Sequence, residues 1–153
     1  MEVYEVENRS DELIRELTKV WEASVRATHH FLSEDDIVRL RGFVPGALAA
    51  VPKLVIATDA ADSPCAFMGV DGEKIEMLFA APEVFGKGLG RRLVAYGFSV
   101  FGVTEVDVNE QNPQARGFYE HMGFRVIGRS ERDGQGASYP ILHMRTSAAL
   151  RET

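Results

Sequence analysis

Glycines recur at Gly86, Gly88 and Gly90, with cations at Lys87, Arg91 and Arg92 among and beside them. Alternating glycines strip a turn of side chains, and an apolar helical spacing follows at Leu89, Leu93, Tyr96 and Val100. A bare turn that opens a helix exposes several backbone N–H groups at the positive end of the helix dipole, which suits phosphate. His29 and His30 form a second candidate group, in a short connection between helices. Imidazole titrates in the range needed to take a proton from an amine, and a surface or helix-terminal histidine is the plainer alternative. No third ligand stands at useful spacing, so no metal is expected. Glu76, on a strand that leads into the glycine turn, is either a base or a solvated strand carboxylate. The one cysteine, Cys65, lies in an apolar run and reads as a buried thiol, not a nucleophile. One cysteine also excludes an internal disulfide and fits a reducing cytosol.

The elements that must position these groups follow from periodicity. Val3 to Val6 suits a short strand. Ser10 caps a first helix with Leu13, Ile14, Leu17, Val20, Trp21 and Val25 on one face, ending near Ala27. Ser33 caps a second, with Asp36 at the capping-box position; Gly42, Pro45 and Gly46 leave its end open, and Ala47 to Val51 extends it as another turn. Lys53 to Thr58 and Cys65 to Val70 read as strands, and Asp71-Gly72 as a tight hairpin turn. In the next strand Ile75, Met77 and Phe79 alternate with Glu76 and Leu78, which puts the first three on one face. Pro82 ends it. After the glycine turn and its helix, Thr104 to Val108 is a strand. Asn112 and Pro113 open a helix that Gly123 stops, and Phe124 to Ile127 and Tyr139 to Arg145 pair last across a polar loop over 130–138.

Strand, crossover helix and strand from Glu73 to Val108 require a parallel pair, while the other connections are short and antiparallel. The order β-α-α-β-β-β-α-β-α-β-β is a mixed α/β sheet with helices on both faces. Residues 1–147 form one domain in this reading, with a frayed tail over 148–153.

Two segments resemble a known family. Val84-Phe85-Gly86-Lys87-Gly88-Leu89-Gly90 is similar to the acyl-CoA pyrophosphate loop of the GCN5-related N-acetyltransferases (GNAT). The run Asn112-Pro113-Gln114-Ala115-Arg116-Gly117-Phe118-Tyr119-Glu120-His121-Met122-Gly123-Phe124 resembles that family's second signature. Ala27 to Ser33, Val108 to Asn112 and Tyr139-Pro140 further resemble its bacterial YjaB type. One departure stands out: the family usually has Arg or Gln at the position of Phe85.

The resemblance implies an acetyl-CoA-dependent N-acetyltransferase fold with two splayed central parallel strands, and direct attack of a primary amine on the bound thioester. It implies that Phe85, Gly86, Lys87, Gly88, Leu89, Gly90 and Arg91 surround the diphosphate. Leu78 and Phe79 present backbone groups to the pantetheine arm and the thioester carbonyl. Asn109, Asn112 and Ala115 lie along the cofactor. Tyr119 is implied as the acid for the leaving thiolate, since a phenol of pKa near ~10 is close enough to a thiol to share its proton. Glu76 is a candidate catalytic base from its place on the strand, with the solvated carboxylate as the equal alternative. His29 and His30 lie in the loop that the resemblance puts on the acceptor side, and Tyr139 either lines the acceptor pocket or packs.

Composition limits the alternatives. A net charge of −6 argues against a general nucleic-acid binder, and no apolar run approaches a membrane span. The first residues are charged, with no signal peptide, so the cytoplasm is expected. A homodimer is the base-rate expectation, and the acceptor is an amine on a protein or a small molecule. The competing reading is a non-catalytic acyl-CoA-binding regulatory module. A dinucleotide fold is disfavoured because the pattern is GxGxG, not GxGxxG.

Overall fold

The computed structural model describes residues 1–133 and 139–146. Most of the expected loop over 130–138 and the tail after Thr146 lie outside the described residues. The elements run β1 (Glu2–Glu5), α1 (Asp11–Thr28), α2 (Glu34–Arg41), α3 (Val44–Ala50), β2 (Lys53–Thr58), β3 (Pro64–Asp71), β4 (Lys74–Ala80), α4 (Leu89–Tyr96), β5 (Glu105–Asn109), α5 (Pro113–His121), β6 (Phe124–Ser130) and β7 (Ile141–Thr146). The mixed α/β reading holds. The expected second helix is two helices, because the chain turns at Gly42 and restarts with Pro45 in a first turn, where a missing N–H costs nothing. The Ser33 and Asp36 capping box forms in both directions.

One seven-stranded sheet has the order β1-β2-β3-β4-β5-β7-β6. The last two strands pair as expected, but β7 rather than β6 lies beside β5. Among the described residues only β4 and β5 are parallel, and they pair only at Lys74↔Glu105 and Ile75↔Val106. The physical reason for so short a pairing is a bulge. Val70 pairs with Ile75 and Gly69 with Met77, so Glu76 is an extra residue in β4. A bulge bends its strand and increases the local twist. Beyond it, β4 and β5 diverge.

The bulge also corrects the expected face of Ile75. Met77 and Phe79 share a face with Gly69 and Phe67, whereas Ile75 shares the opposite face with Val70 and Met68. On the Phe79 face, Trp21 of α1 meets Phe79 edge-on at 6.4 Å, and Phe67 lies 5.7 Å from it. On the other face, a side chain at Gly97, just past α4, would meet Met68 at 3.3 Å. The sheet is thus covered by α1 on one side and α4 on the other, and a continuous buried cluster includes Leu17, Leu48, Phe67, Met68 and Leu93. α5 packs beside α4: a Cβ at Gly90 would stand 3.3 Å from Phe118.

Candidate active site

The divergence of β4 and β5 leaves a cleft with cavities on both sides. A cavity of about 580 Å³ lies between the end of β4, the glycine turn and α5. A gap of about 130 Å³ separates β4 from β5, and a chamber of about 300 Å³ lies beneath α1, α2 and α3.

The largest cavity is lined by most residues expected to hold a cofactor. Leu78 and Phe79 come from β4, Phe85, Gly86, Gly88, Leu89, Gly90 and Arg91 from the turn and first turn of α4, and Asn112, Ala115 and Tyr119 from α5. Gly86 and Gly88 both have φ +77, which L side chains rarely adopt. This puts α4 behind a bare collar: its N-cap, Gly88, offers no side-chain bond to the helix, so the first-turn N–H groups face the cavity without a cap. Neither glycine has a heavy atom within 4 Å of where a Cβ would sit, so the collar is open. These donors fit a diphosphate. Phe85 stays 44% exposed on the lining and does not plug the cavity. Lys87 is exposed and off the lining, its own N–H turned back onto Val84 O at 3.3 Å. Arg92 reaches the other way, to Met1 O at 2.9 Å.

The free edge of β4 supplies the next donors. Ala81 N–H bonds to Cys65 O at 2.8 Å, toward β3. Strand alternation puts the Phe79 N–H on that side too and turns the Leu78 and Ala80 N–H groups toward the open gap. Between Leu78 and Phe79, it is Leu78 that offers a donor there. Across the gap, Asn109 Oδ1 accepts from Gln111 N–H at 2.9 Å, and Asn112 Oδ1 caps α5 by accepting from Ala115 N–H at 3.2 Å.

Tyr119 lines both the large cavity and the gap. Its ring meets Phe118 at 5.1 Å and Phe124 at 5.5 Å, both edge-on. Burial pushes its hydroxyl well above the usual phenol range. Glu76 is exposed and lines the gap and the chamber. His29 lines all three cavities; His30, exposed, lines none of them. Tyr139 lines the chamber, and its hydroxyl donates to the Asp36 carboxylate. That bond, ahead of those from Ser33, holds Asp36 below the usual carboxylate range. The chamber is otherwise mostly apolar, with Trp21, Phe31, Leu40, Phe43 and Met77 on its wall. Phe31 and the Asp36–Tyr139 tie were not anticipated as parts of the site. Their only local signal was an aromatic residue beside the His29-His30 pair.

The acetyltransferase (GNAT) domain profile matches residues 51–126, which hold the collar, the free edge of β4, the gap and Tyr119. The peptidyl-lysine N-acetyltransferase YjaB of Salmonella typhimurium is 43% identical over 128 residues, 84% of this chain and 88% of the relative. The chain belongs to the GNAT family. The YjaB of Escherichia coli K12 is likewise 43% identical, over 129 residues and 87% of its length. The solution structure of apo YjaB from Escherichia coli superposes with a TM-score of 0.85 at 39% identity, covering 96% of this chain and 99% of that one. This GNAT chain is an N-acetyltransferase, and the reading as a binding module without catalysis is not favoured. Among its described residues no helix is long and apolar enough to cross a membrane.

Proposed function

We propose that the enzyme acetylates lysine side chains of proteins or peptides with acetyl-CoA, by direct attack of the amine on the thioester. The observation that carries this is a gap between β4 and β5 with an open phosphate-binding collar on one side and an apolar, aromatic-walled chamber on the other. Such a chamber fits a four-carbon stem carrying an amine and favours the neutral, reactive form of that amine. The relatives named for peptidyl-lysine acetylation support the same acceptor. Small amines are the second acceptor class that the chamber's size admits.

In this reading acetyl-CoA supplies the activated acetyl group. The N–H groups of Gly86, Gly88, Leu89, Gly90 and Arg91 grip its diphosphate, with Lys87 adding charge from outside and Phe85 and Ala115 packing along it. The exposed edge at Leu78 and Phe79 holds the pantetheine arm. Leu78 N–H polarises the carbonyl, a preorganised donor of the kind that contributes most to such reactions. Asn109 and Asn112 order the arm's amides. Tyr119 protonates the leaving sulfur. Of the carboxylates and imidazoles lining the gap, Asp107 is held by Lys74 and His143, which leaves Glu76 and His29 to take the amine's proton; Tyr139 and the His29-His30 loop border the acceptor. No metal is needed. A bacterial cytoplasm suits a chain whose lone thiol is buried.

The test is mass spectrometry of peptide and small-amine mixtures incubated with purified enzyme and acetyl-CoA. A gain of one acetyl group on lysine-containing peptides is expected. Acetylation confined to small amines would sink the peptidyl acceptor, and binding without any transfer would sink the enzyme.

A further inference from the structure

His29 stands where the three cavities meet. Its proton is placed by a chain of hydrogen bonds that starts in the backbone of α1. Thr28 Oγ1 lies 2.7 Å from Ser24 O and 2.7 Å from His29 Nδ1. A carbonyl only accepts, and a hydroxyl has one hydrogen, so Thr28 donates to Ser24 O. The contact with His29 then needs its hydrogen from the ring: Nδ1–H donates to Thr28 Oγ1. A neutral imidazole has one N–H, which leaves Nε2 as a bare lone pair. The ring is fixed in place by Phe31 at 5.4 Å and Phe79 at 6.4 Å. Because Phe79 follows Leu78 in β4, this same packing holds the imidazole against the strand whose free edge lines the gap.

We infer that His29 is the general base of the transfer, with Nε2 taking the proton that the acceptor nitrogen loses as it bonds to the carbonyl carbon. Thr28 is a positioning residue that fixes the tautomer. This rests on the N-acetyl transfer reading above. The nitrogen lone pair forms the C–N bond and the C–S bond breaks with its electrons on sulfur. Nε2 holds the amine proton, Tyr119 supplies the proton to sulfur, and both side chains then reset by exchange with water. Burial, with the neighbouring His30 adding to it, pushes the His29 pKa below the usual imidazole range, so the ring is neutral at pH 7. The other titratable groups on the cavities it lines are Glu76 from β4, Asp107 from β5, Arg91 from α4, Tyr119 from α5, and Asp133 and Tyr139 across the chamber. Glu76, exposed where it lines the gap and the chamber, is the rival base.

Two readouts test the inference. In steady-state assays with acetyl-CoA and a short Nα-blocked lysine peptide, His29→Asn lowers kcat by about 100-fold or more. It also abolishes the acid limb of the wild-type pH profile, with KM for acetyl-CoA little changed. Thr28→Val lowers kcat less, and Thr28→Ser restores it. Independently of turnover, nitrogen NMR of the imidazole shows the Nδ1–H tautomer in wild type and loses that preference in Thr28→Val. An Nε2–H tautomer in wild type overturns the inference, as does an acid limb that survives in His29→Asn and vanishes in Glu76→Gln. If wild type transfers acetyl to no amine at all, the parent reading fails instead, and the tautomer still decides whether the bare Nε2 exists.

Discussion

Tyr119 is held by packing, with Phe118 and Phe124 edge-on to its ring. Burial raises its pKa, so the phenol stays protonated across the working range and is always ready to donate. A thiolate formed in the same enclosed place has its own pKa raised by the same desolvation, which keeps the proton transfer near balance. Tyr119→Phe is therefore expected to lower kcat and kcat/KM together, by about 100-fold, with an unchanged Tm. Steady-state kinetics beside a thermal melt checks this; full activity in the variant removes the acid. Phe85 gives a prediction of the opposite sign. It is 44% exposed at the collar, so replacing it forfeits little burial, and an arginine there adds a charge-assisted contact to phosphate. Phe85→Arg is expected to tighten acetyl-CoA binding by roughly fivefold, about 1 kcal/mol, and to steepen its salt dependence, both read by calorimetry. The glycine collar was legible in the sequence because its spacing is local, whereas Tyr119 was singled out only by the family resemblance. The tie between Asp36 and Tyr139 was not, since the partners are 103 residues apart. Nor does sequence tell which cation of the collar lines the cavity: Arg91 does, while Lys87 and Arg92 do not.

Single extra residues and buried caps decide how the elements hold the site. The alternation in β4 was legible, but the bulge at Glu76 was not, because one inserted residue leaves an apolar-polar pattern that still looks regular. Yet that residue sets the divergence of β4 from β5 and so creates the gap. A second device is Arg9, whose Nη1 donates to Leu48 O at 2.8 Å and Val51 O at 2.6 Å. Its guanidinium closes the C-terminal end of α3, where carbonyls lack helical partners and the dipole favours a cation. α3 in turn walls the chamber through Val44 and Ala47. Arg9→Met, which keeps the stem, is expected to cost about 1–2 kcal/mol after allowance for solvent screening. Urea unfolding should show a lower midpoint at unchanged slope. A shift within error would mean that water caps the helix as well as the arginine does.

Across the molecule, charge pairs tie elements distant in sequence, and their pH response has one sign. The Glu22 carboxyl is held below its usual range by Arg41 and then Arg26, Glu34 by Arg26, and Glu110 by Arg129. For Asp107, burial alone would raise the pKa, but hydrogen bonds from Lys74 and His143 outweigh it and hold the carboxyl low. This group joins β4, β5 and β7: Lys74 Nζ and His143 Nδ1 each lie 2.7 Å from Asp107, and His143 Nε2 lies 2.7 Å from Ser130 Oγ of β6. Asp107 lines the gap, but Ser130 and His143 line none of the three cavities, and the serine–histidine–aspartate row fastens the strands that flank the gap. A carboxyl whose pKa is lowered by folding adds stability above its unfolded value, and that stability is lost as pH falls through the folded value. Tm is therefore expected to hold from about pH 7 to 8, to ease below about pH 6.5 as the unfolded state protonates His29 more readily than the folded one, and to fall further below about pH 4 as the carboxylates are lost. Asp107→Asn isolates one part of that curve. The variant should melt below wild type at pH 7, and the difference should shrink as pH falls through the lowered folded value of Asp107, where the wild-type carboxylate loses its charge. A difference that stays constant with pH would mean that Asp107 acts through shape, and that the strands beside the gap are not held by its charge.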